Sequence, residues 1–182
     1  MNQRTIKNTA RLSGVGLHTG KTVTLTFHPA APYHGYQFKR IDLANQPTVK
    51  ADVSYVSDTQ RSTTLKSGNA VVQTVEHLLS ALAGLQIDNV LIEIDGPEVP
   101  IMDGSAAAFV QQLRTAGIEE QDKERDYLVI DEPIHYKDEA TGTELLALPA
   151  DTFQVTTLID FQSPVLGQQY AQLDNWEQYE TT

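Results

Sequence analysis

The segment Thr74-Val-Glu-His-Leu-Leu-Ser-Ala-Leu-Ala83 predicts the clearest helix of the chain and gives its first part a mixed α+β character. Gln73 or Thr74 can begin this helix and Gly84 can end it. Its apolar residues recur at i, i+3, i+4 and i+7, which places them on one helix face. These residues are Val75, Leu78, Leu79 and Leu82.

Glu76 and His77 project from the other side of this predicted helix. A neutral imidazole can bind a metal, and a neighbouring carboxylate can take a proton from metal-bound water. The alternative is a surface Glu-His pair on an amphipathic helix, because a dipeptide is a weak motif. The pair is therefore a candidate hydrolytic site whose chemistry the local sequence leaves open.

Short strands are predicted on both sides of the helix. Thr22–His28 alternates apolar residues with threonine, the period-2 pattern of a half-buried strand. The glycine-rich turn Ser13–Gly20 is expected to join it to a strand at 4–12 as a hairpin. Further strands are expected at 35–42, 49–56, 62–66 and 89–95. A second helix is predicted at 106–116, with Asp103 or Ser105 as its cap.

The charged run at 119–126 contains no apolar residue and is interpreted as a linker between two domains. The first domain is then 1–118 and the second begins at 127. Strand-like segments are expected at 127–130, 144–148 and 153–161, without a convincing helix. Residues 127–182 are therefore interpreted as the truncated start of a second α+β domain.

Composition excludes several classes of protein. The 182 residues include no cysteine, so disulfides and thiolate metal sites are excluded. The net charge is −11, and residues 119–182 hold fifteen Asp/Glu against three Lys/Arg, which argues against binding nucleic acid. No apolar run approaches the roughly 18 residues needed to span a bilayer, and the N-terminus lacks the apolar region of a secretory signal. We expect a cytoplasmic protein without stable membrane insertion.

The five histidines do not form a familiar zinc motif, which requires three protein ligands plus water. His135 has a carboxylate four residues later, but in a strand-like region the two would not share a face. His18 lies in a loop between Gly16 and Gly20, which allow the backbone close to a ligand. An exposed hairpin turn is the other interpretation of His18.

Four segments together resemble one enzyme family: Ser13–Lys21, Thr74–Leu85, Ile87–Val90 and Pro97-Glu-Val-Pro-Ile-Met-Asp-Gly-Ser-Ala106. Their motifs, order and spacing are similar to those of the UDP-3-O-acyl-N-acetylglucosamine deacetylases of lipid A biosynthesis. The resemblance is closest over the first 118 residues and continues more loosely to about residue 170. It implies two related domains, each a small mixed sheet with two helices, with the helices packed between the sheets.

The resemblance also implies roles for individual residues. Glu76 corresponds to the general base and His77 to a zinc ligand. His18 and Asp103 correspond to residues that line or support the active site. Asp160 and Phe161 correspond to an Asp-Phe pair that helps hold the UDP-sugar.

In the family, a later His-x3-Asp pair supplies the remaining zinc ligands, and a further histidine acts as an acid. This chain lacks counterparts of all three residues. We therefore expect zinc-dependent hydrolysis of the acetamide of UDP-3-O-acyl-N-acetylglucosamine by the parent enzyme, and no useful activity from these 182 residues alone. One alternative is a non-catalytic binding or assembly module. Another is the N-terminal part of a fusion with a 3-hydroxyacyl-carrier-protein dehydratase.

Overall fold

The computed structural model describes residues 1–179, which form two compact units, 1–125 and a second one that begins at Asp126. The first unit contains both α-helices of the described chain, and the second contains only strands and one short 3-10 helix. Five small sheets and two α-helices confirm the α+β class. Neither α-helix in residues 1–179 has the length and apolarity needed to cross a bilayer.

The first unit is organised around a five-stranded sheet with the order β2-β3-β9-β4-β5. All neighbouring pairs are antiparallel except β4 and β9. Two smaller sheets, β1-β10 and β6-β7-β8, complete the unit. The strands are β1 Asn2–Ile6, β2 Ala10–Val15, β3 Thr22–Pro29, β4 Tyr36–Arg40, β5 Thr48–Lys50, β6 Val56–Asp58, β7 Thr64–Ser67, β8 Ala70–Val72, β9 Val90–Ile94 and β10 Ile118–Glu124.

The core lies between this central sheet and the two helices, α1 Glu76–Gly84 and α2 Ala107–Ala116. Alternation along β3 buries every second residue, because successive side chains of a strand point to opposite faces. The helices contribute their apolar stripes to the same cluster, and α2 packs against α1 and β2. Fully buried members are Leu25, Phe27, Phe38, Ile92, Leu78, Leu82, Phe109 and Leu113.

The predicted helices and the predicted hairpin between the second and third strands are confirmed. Helix α1 begins two residues later than predicted and α2 one residue later. The predicted strand at 4–12 is wrong, because it is broken at Lys7 and becomes β1 and β2 in different sheets. The predicted strand at 49–56 is also interrupted, by a 3-10 helix at Val53–Tyr55.

Most of the predicted linker at 119–126 is instead strand β10, which pairs antiparallel with β1. Its charged side chains face solvent along the edge of a two-stranded sheet, where charge discourages further strand pairing. Arg125 closes the segment: its guanidinium lies 2.7 Å from Asp88 Oδ1 and also donates to Asp88 Oδ2 at 2.8 Å. The first unit therefore extends to residue 125, beyond the predicted boundary at 118.

The second unit contains two antiparallel hairpins, β11-β12 and β13-β14. The predicted strand at 127–130 does not form, whereas strands do form near the other two predicted positions. Phe153 and Trp176 stack with ring centroids 4.4 Å apart. The strands are β11 Ile134–Asp138, β12 Thr143–Ala147, β13 Val155–Asp160 and β14 Gln168–Leu173.

Candidate active site

Glu76 and His77 are the first two residues of α1, and both side chains are half-buried. The N-terminus of a helix carries a partial positive charge that favours a carboxylate in the first turn. The backbone N–H of Thr63 donates to Glu76 Oε2 at 3.0 Å. One carboxylate oxygen is therefore held by the segment between β6 and β7, and Oε1 is the oxygen available for other chemistry.

Thr74 shapes the entry into α1. Its φ of 58° lies in the left-handed region, which is strained for a β-branched residue. Its side chain is buried, and its hydroxyl donates to Glu98 Oε1 at 3.0 Å. The strained turn that presents Glu76 and His77 is thus fixed by a hydrogen bond to a buried carboxylate.

The same carboxylate holds the loop that contains His18. The backbone N–H of His18 donates to Glu98 Oε1 at 2.9 Å, and that of Thr19 donates to Oε2 at 2.8 Å. Gly16 approaches so closely that a Cβ there would overlap Glu98 Oε2. The expectation that Gly16 and Gly20 bring the backbone close to a ligand stays a prediction. At Gly16 the close approach is to a carboxylate of the chain itself, and a Cβ at Gly20 would have no heavy atom within 4 Å.

Glu98 is fully buried, and desolvation alone would raise the pKa of its carboxyl group. Hydrogen bonds from His18, Thr19 and Thr74 outweigh desolvation and lower the pKa below its usual value. Glu98 is therefore ionised at neutral pH, and each of its oxygens accepts charge-assisted hydrogen bonds.

Asp103 lies in the exposed turn before α2 and does not cap the helix directly. Its Oδ1 accepts from the Ser105 hydroxyl at 2.8 Å and the Ser105 N–H at 3.0 Å, and the Ser105 hydroxyl in turn accepts from Ala107 N at 3.1 Å. These bonds lower the pKa of Asp103, with a smaller contribution from the charge of His77. Asp103 is thus held by Ser105 in the turn that leads into α2.

Asp160 and Phe161 lie in the second unit at the end of β13. Asp160 accepts from Gln162 N at 2.9 Å and Gln168 Nε2 at 3.3 Å, and these bonds lower its pKa. Phe161 is 46% exposed, and its N–H donates to Gly167 O at 3.1 Å. Asp160 ends β13 and Phe161 begins the loop to β14, and their place in a UDP-sugar site stays a prediction.

The donors within residues 1–179 do not form a metal site on their own. No group of three or more His, Asp or Glu side chains in this part of the chain is arranged to hold a metal. His77 supplies a single imidazole, whereas a zinc site requires three protein ligands. His135 Nε2 lies 3.6 Å from Glu144 Oε2 across the β11-β12 hairpin.

Glu98 was not predicted as a site residue, although it lies in the Pro97–Ala106 motif. A charged residue enclosed by Pro97, Val99 and Pro100 in an otherwise apolar stretch was a usable signal, because a buried carboxylate requires several donors. The role of Thr63 was not predicted either, because its contribution is made by a backbone N–H and carries no side-chain signature.

The Ile87–Val90 motif has a structural role. The buried Asn89 side chain accepts from Gly35 N at 2.9 Å and donates to Gln3 Oε1 at 2.8 Å and Gln121 Oε1 at 2.7 Å. Asp88 accepts from Arg4 N at 2.7 Å as well as from Arg125. This motif joins the five-stranded sheet to the two-stranded sheet of β1 and β10.

Comparisons with known proteins place this arrangement in one family. Residues 3–182 match the family described as UDP-3-O-acyl N-acetylglycosamine deacetylase. A UDP-3-O-acyl-N-acetylglucosamine deacetylase of Myxococcus xanthus is 47% identical over 173 residues, covering 95% of this chain and 54% of the relative. One of Methylococcus capsulatus is 48% identical over 163 residues, covering 90% of this chain and 53% of the relative.

A bifunctional enzyme LpxC/FabZ of Bacteroides thetaiotaomicron is 42% identical over 179 residues, covering 98% of this chain and 39% of the relative. The chain spans about half the length, or less, of the curated relatives it matches. The family match nevertheless extends over nearly all of its residues. The chain therefore belongs to the UDP-3-O-acyl N-acetylglycosamine deacetylase family.

Proposed function

We propose that the full-length protein containing this chain hydrolyses the acetamide of UDP-3-O-acyl-N-acetylglucosamine in lipid A biosynthesis, and that Glu76 is its general base. The observation that carries the proposal is the fixed position of Glu76. One of its oxygens accepts from Thr63 N, and the turn before it is held by Glu98 through Thr74. A carboxylate held this way can present Oε1 to a water molecule in a constant orientation, which general-base catalysis requires.

Zinc is part of the proposal as the cofactor, with His77 as one ligand. When bound, zinc polarises a carbonyl oxygen and lowers the pKa of its water to about 7. His77 can contribute one nitrogen donor, and the other ligands would have to come from outside residues 1–179. His18 and Asp103 would line the same site, and Asp160 and Phe161 would contact the UDP-sugar. The proposed location is the cytoplasm.

The test is Glu76→Gln in the full-length protein. Glutamine keeps an oxygen that can accept from Thr63 N but cannot take a proton at neutral pH, so the fold should persist while the base is lost. We expect deacetylation to slow by about 10²–10⁴, the usual contribution of a general base. Glu119→Gln is the matched control, because Glu119 is exposed on β10. Near-normal deacetylation by Glu76→Gln would remove Glu76 from this role.

The similarity to bifunctional enzymes does not alter the chemistry proposed for this segment. The chain aligns with both the single-function deacetylases and the bifunctional enzymes at similar identity. A fused second activity, if the full-length protein has one, would reside outside these residues. The test is whether Glu76→Gln abolishes deacetylation while leaving any such second activity intact.

A further inference from the structure

We propose that Glu98 is a positioning residue that fixes the His18 loop against the N-terminus of α1, and so sets the place of His18 relative to Glu76 and His77. The inference rests on the proposed function only for its catalytic consequence. Its structural part concerns Glu98 and the two segments that donate to it.

The donors around Glu98 come from two separate segments of the chain. His18 and Thr19 donate backbone N–H groups from the loop between β2 and β3, and Thr74 donates its hydroxyl from the turn before α1. His18 N also lies 3.2 Å from Oε2, so the loop contacts both carboxylate oxygens. One side chain therefore holds two segments that are more than 50 residues apart in sequence.

Backbone hydrogen bonds fix Glu98 itself. Gln73 N donates to Pro97 O at 2.9 Å, and Val99 N donates to Gln73 O at 3.0 Å, which forms a parallel bridge between Gln73 and Glu98. Gln73, the bridge partner of Glu98, directly precedes Thr74. Glu98 is thus anchored on the α1 side by its backbone, and its carboxylate extends from there to the His18 loop.

Burial strengthens the dependence of the loop on Glu98. Glu98 has no solvent-exposed surface, so water cannot easily replace a lost partner, and an orphaned donor there would be costly. The same burial separates it from any substrate, which makes it a positioning residue. His18, by contrast, is exposed on the loop that Glu98 holds.

Next to the loop, Ile101 N donates at 3.0 Å to the carbonyl of Val15, the last residue of β2, which fixes the end of the strand. The remaining backbone bonds of the loop itself, Gly16 N to Lys21 O and Gly20 N to Gly16 O, are 3.0 Å each and lie within the loop. They set the shape of the turn but do not connect it to α1. Within residues 1–179, the hydrogen bonds that join this loop to the α1 side are those of Glu98.

The first measurement is amide hydrogen exchange in this chain, comparing wild type with Glu98→Gln. Glutamine has one acceptor oxygen where Glu98 has two charged ones, so exchange at His18 and Thr19 should accelerate by about tenfold or more. Exchange at Leu25 in β3 should change far less. The matched control is Glu93→Gln, because Glu93 lies five residues away on β9 and bonds to Lys39 and His28 instead. Unchanged exchange at His18 and Thr19 in folded Glu98→Gln would overturn the proposal.

A second pair of variants applies if Glu98→Gln does not fold. Thr74→Val removes one donor to Glu98 while keeping the β-branched shape, and Thr74→Ser keeps the hydroxyl. We expect Thr74→Val to accelerate exchange at Val75 and Leu79, whose N–H groups donate to Thr63 O and Val75 O at the start of α1. Thr74→Ser should restore near-normal exchange at both amides. Equal exchange in the two variants would contradict the proposed link between Glu98 and α1.

The catalytic consequence is measured in the full-length protein. Glu98→Gln should lower kcat by about tenfold or more while KM changes much less, because a small displacement of a catalytic group costs rate. Glu93→Gln should leave both values near wild type. If Glu98→Gln shows faster amide exchange at His18 and Thr19 but an unchanged kcat, the positioning role is overturned and the proposed function is left intact. If Glu76→Gln also left deacetylation unchanged, the proposed function would fail, while exchange would still decide whether Glu98 holds the loop.

Discussion

The buried amide of Asn89 provides the sharpest test of the fold. Asn89→Ala removes an acceptor from Gly35 N and a donor from both Gln3 Oε1 and Gln121 Oε1. Gln3 Oε1 keeps a hydrogen bond from Tyr33 N, so two groups, Gly35 N and Gln121 Oε1, lose these contacts outright.

The loss of unfolding free energy in Asn89→Ala follows from these two unpaired groups. A buried polar group left without a partner costs about 1–3 kcal/mol. Gly35 N and Gln121 Oε1 are partly buried, so the lower half of that range applies to each, and the variant should lose about 2–4 kcal/mol of unfolding free energy. For a unit of this size, each kcal/mol lowers Tm by roughly 3–6 °C, so a drop on the order of 10 °C is expected.

The assay is urea and thermal unfolding followed by circular dichroism at 222 nm. Both described α-helices lie in the first unit, so this signal follows the unit that contains Asn89. The matched control is Asn69→Ala, an exposed turn residue whose replacement should change stability by less than about 0.5 kcal/mol. A loss below about 1 kcal/mol for Asn89→Ala would refute the structural role assigned to the Ile87–Val90 motif.

Two further predictions concern metal and pH. After dialysis, the 182-residue chain alone should hold far less than one zinc per molecule, because residues 1–179 offer no set of three ligands; one tightly bound zinc, measured by metal analysis, would contradict this. Hydrogen bonds from Lys39 and His28 lower the pKa of Glu93 below its ordinary value of 4.5. The contribution of Glu93 to the unfolding free energy should therefore be present above pH 4.5 and be lost as pH falls through its lower pKa in the folded state. In Glu93→Gln, unfolding measurements should show a smaller loss of stability over this acid range.

Local periodicity was enough to predict the main elements. The apolar spacing of Val75, Leu78 and Leu82 predicted α1, and the alternation in Thr22–His28 predicted β3, because each pattern matches one backbone repeat. The same reasoning failed at 119–126. A run of charges is compatible with both a linker and an edge strand, and pairing with β1 decided between them.

In the candidate site, too, local sequence predicted some features and tertiary contacts decided others. Glu76 and His77 could be predicted as a pair because they are adjacent on a helix whose apolar face is plain in the sequence. Asp103 was correctly expected near the turn into α2, but its choice between capping and local bonding depended on the geometry of Ser105.

The sequence by itself determined which residues could carry the chemistry and on which elements they lie, because motif spacing and periodicity are local properties. Only the tertiary structure showed that Glu98 joins the His18 loop to the turn at Thr74. That contact is made by backbone N–H groups and by a carboxylate distant in sequence. Such a contact exists only when the folded backbone brings the donors and the carboxylate within hydrogen-bond distance.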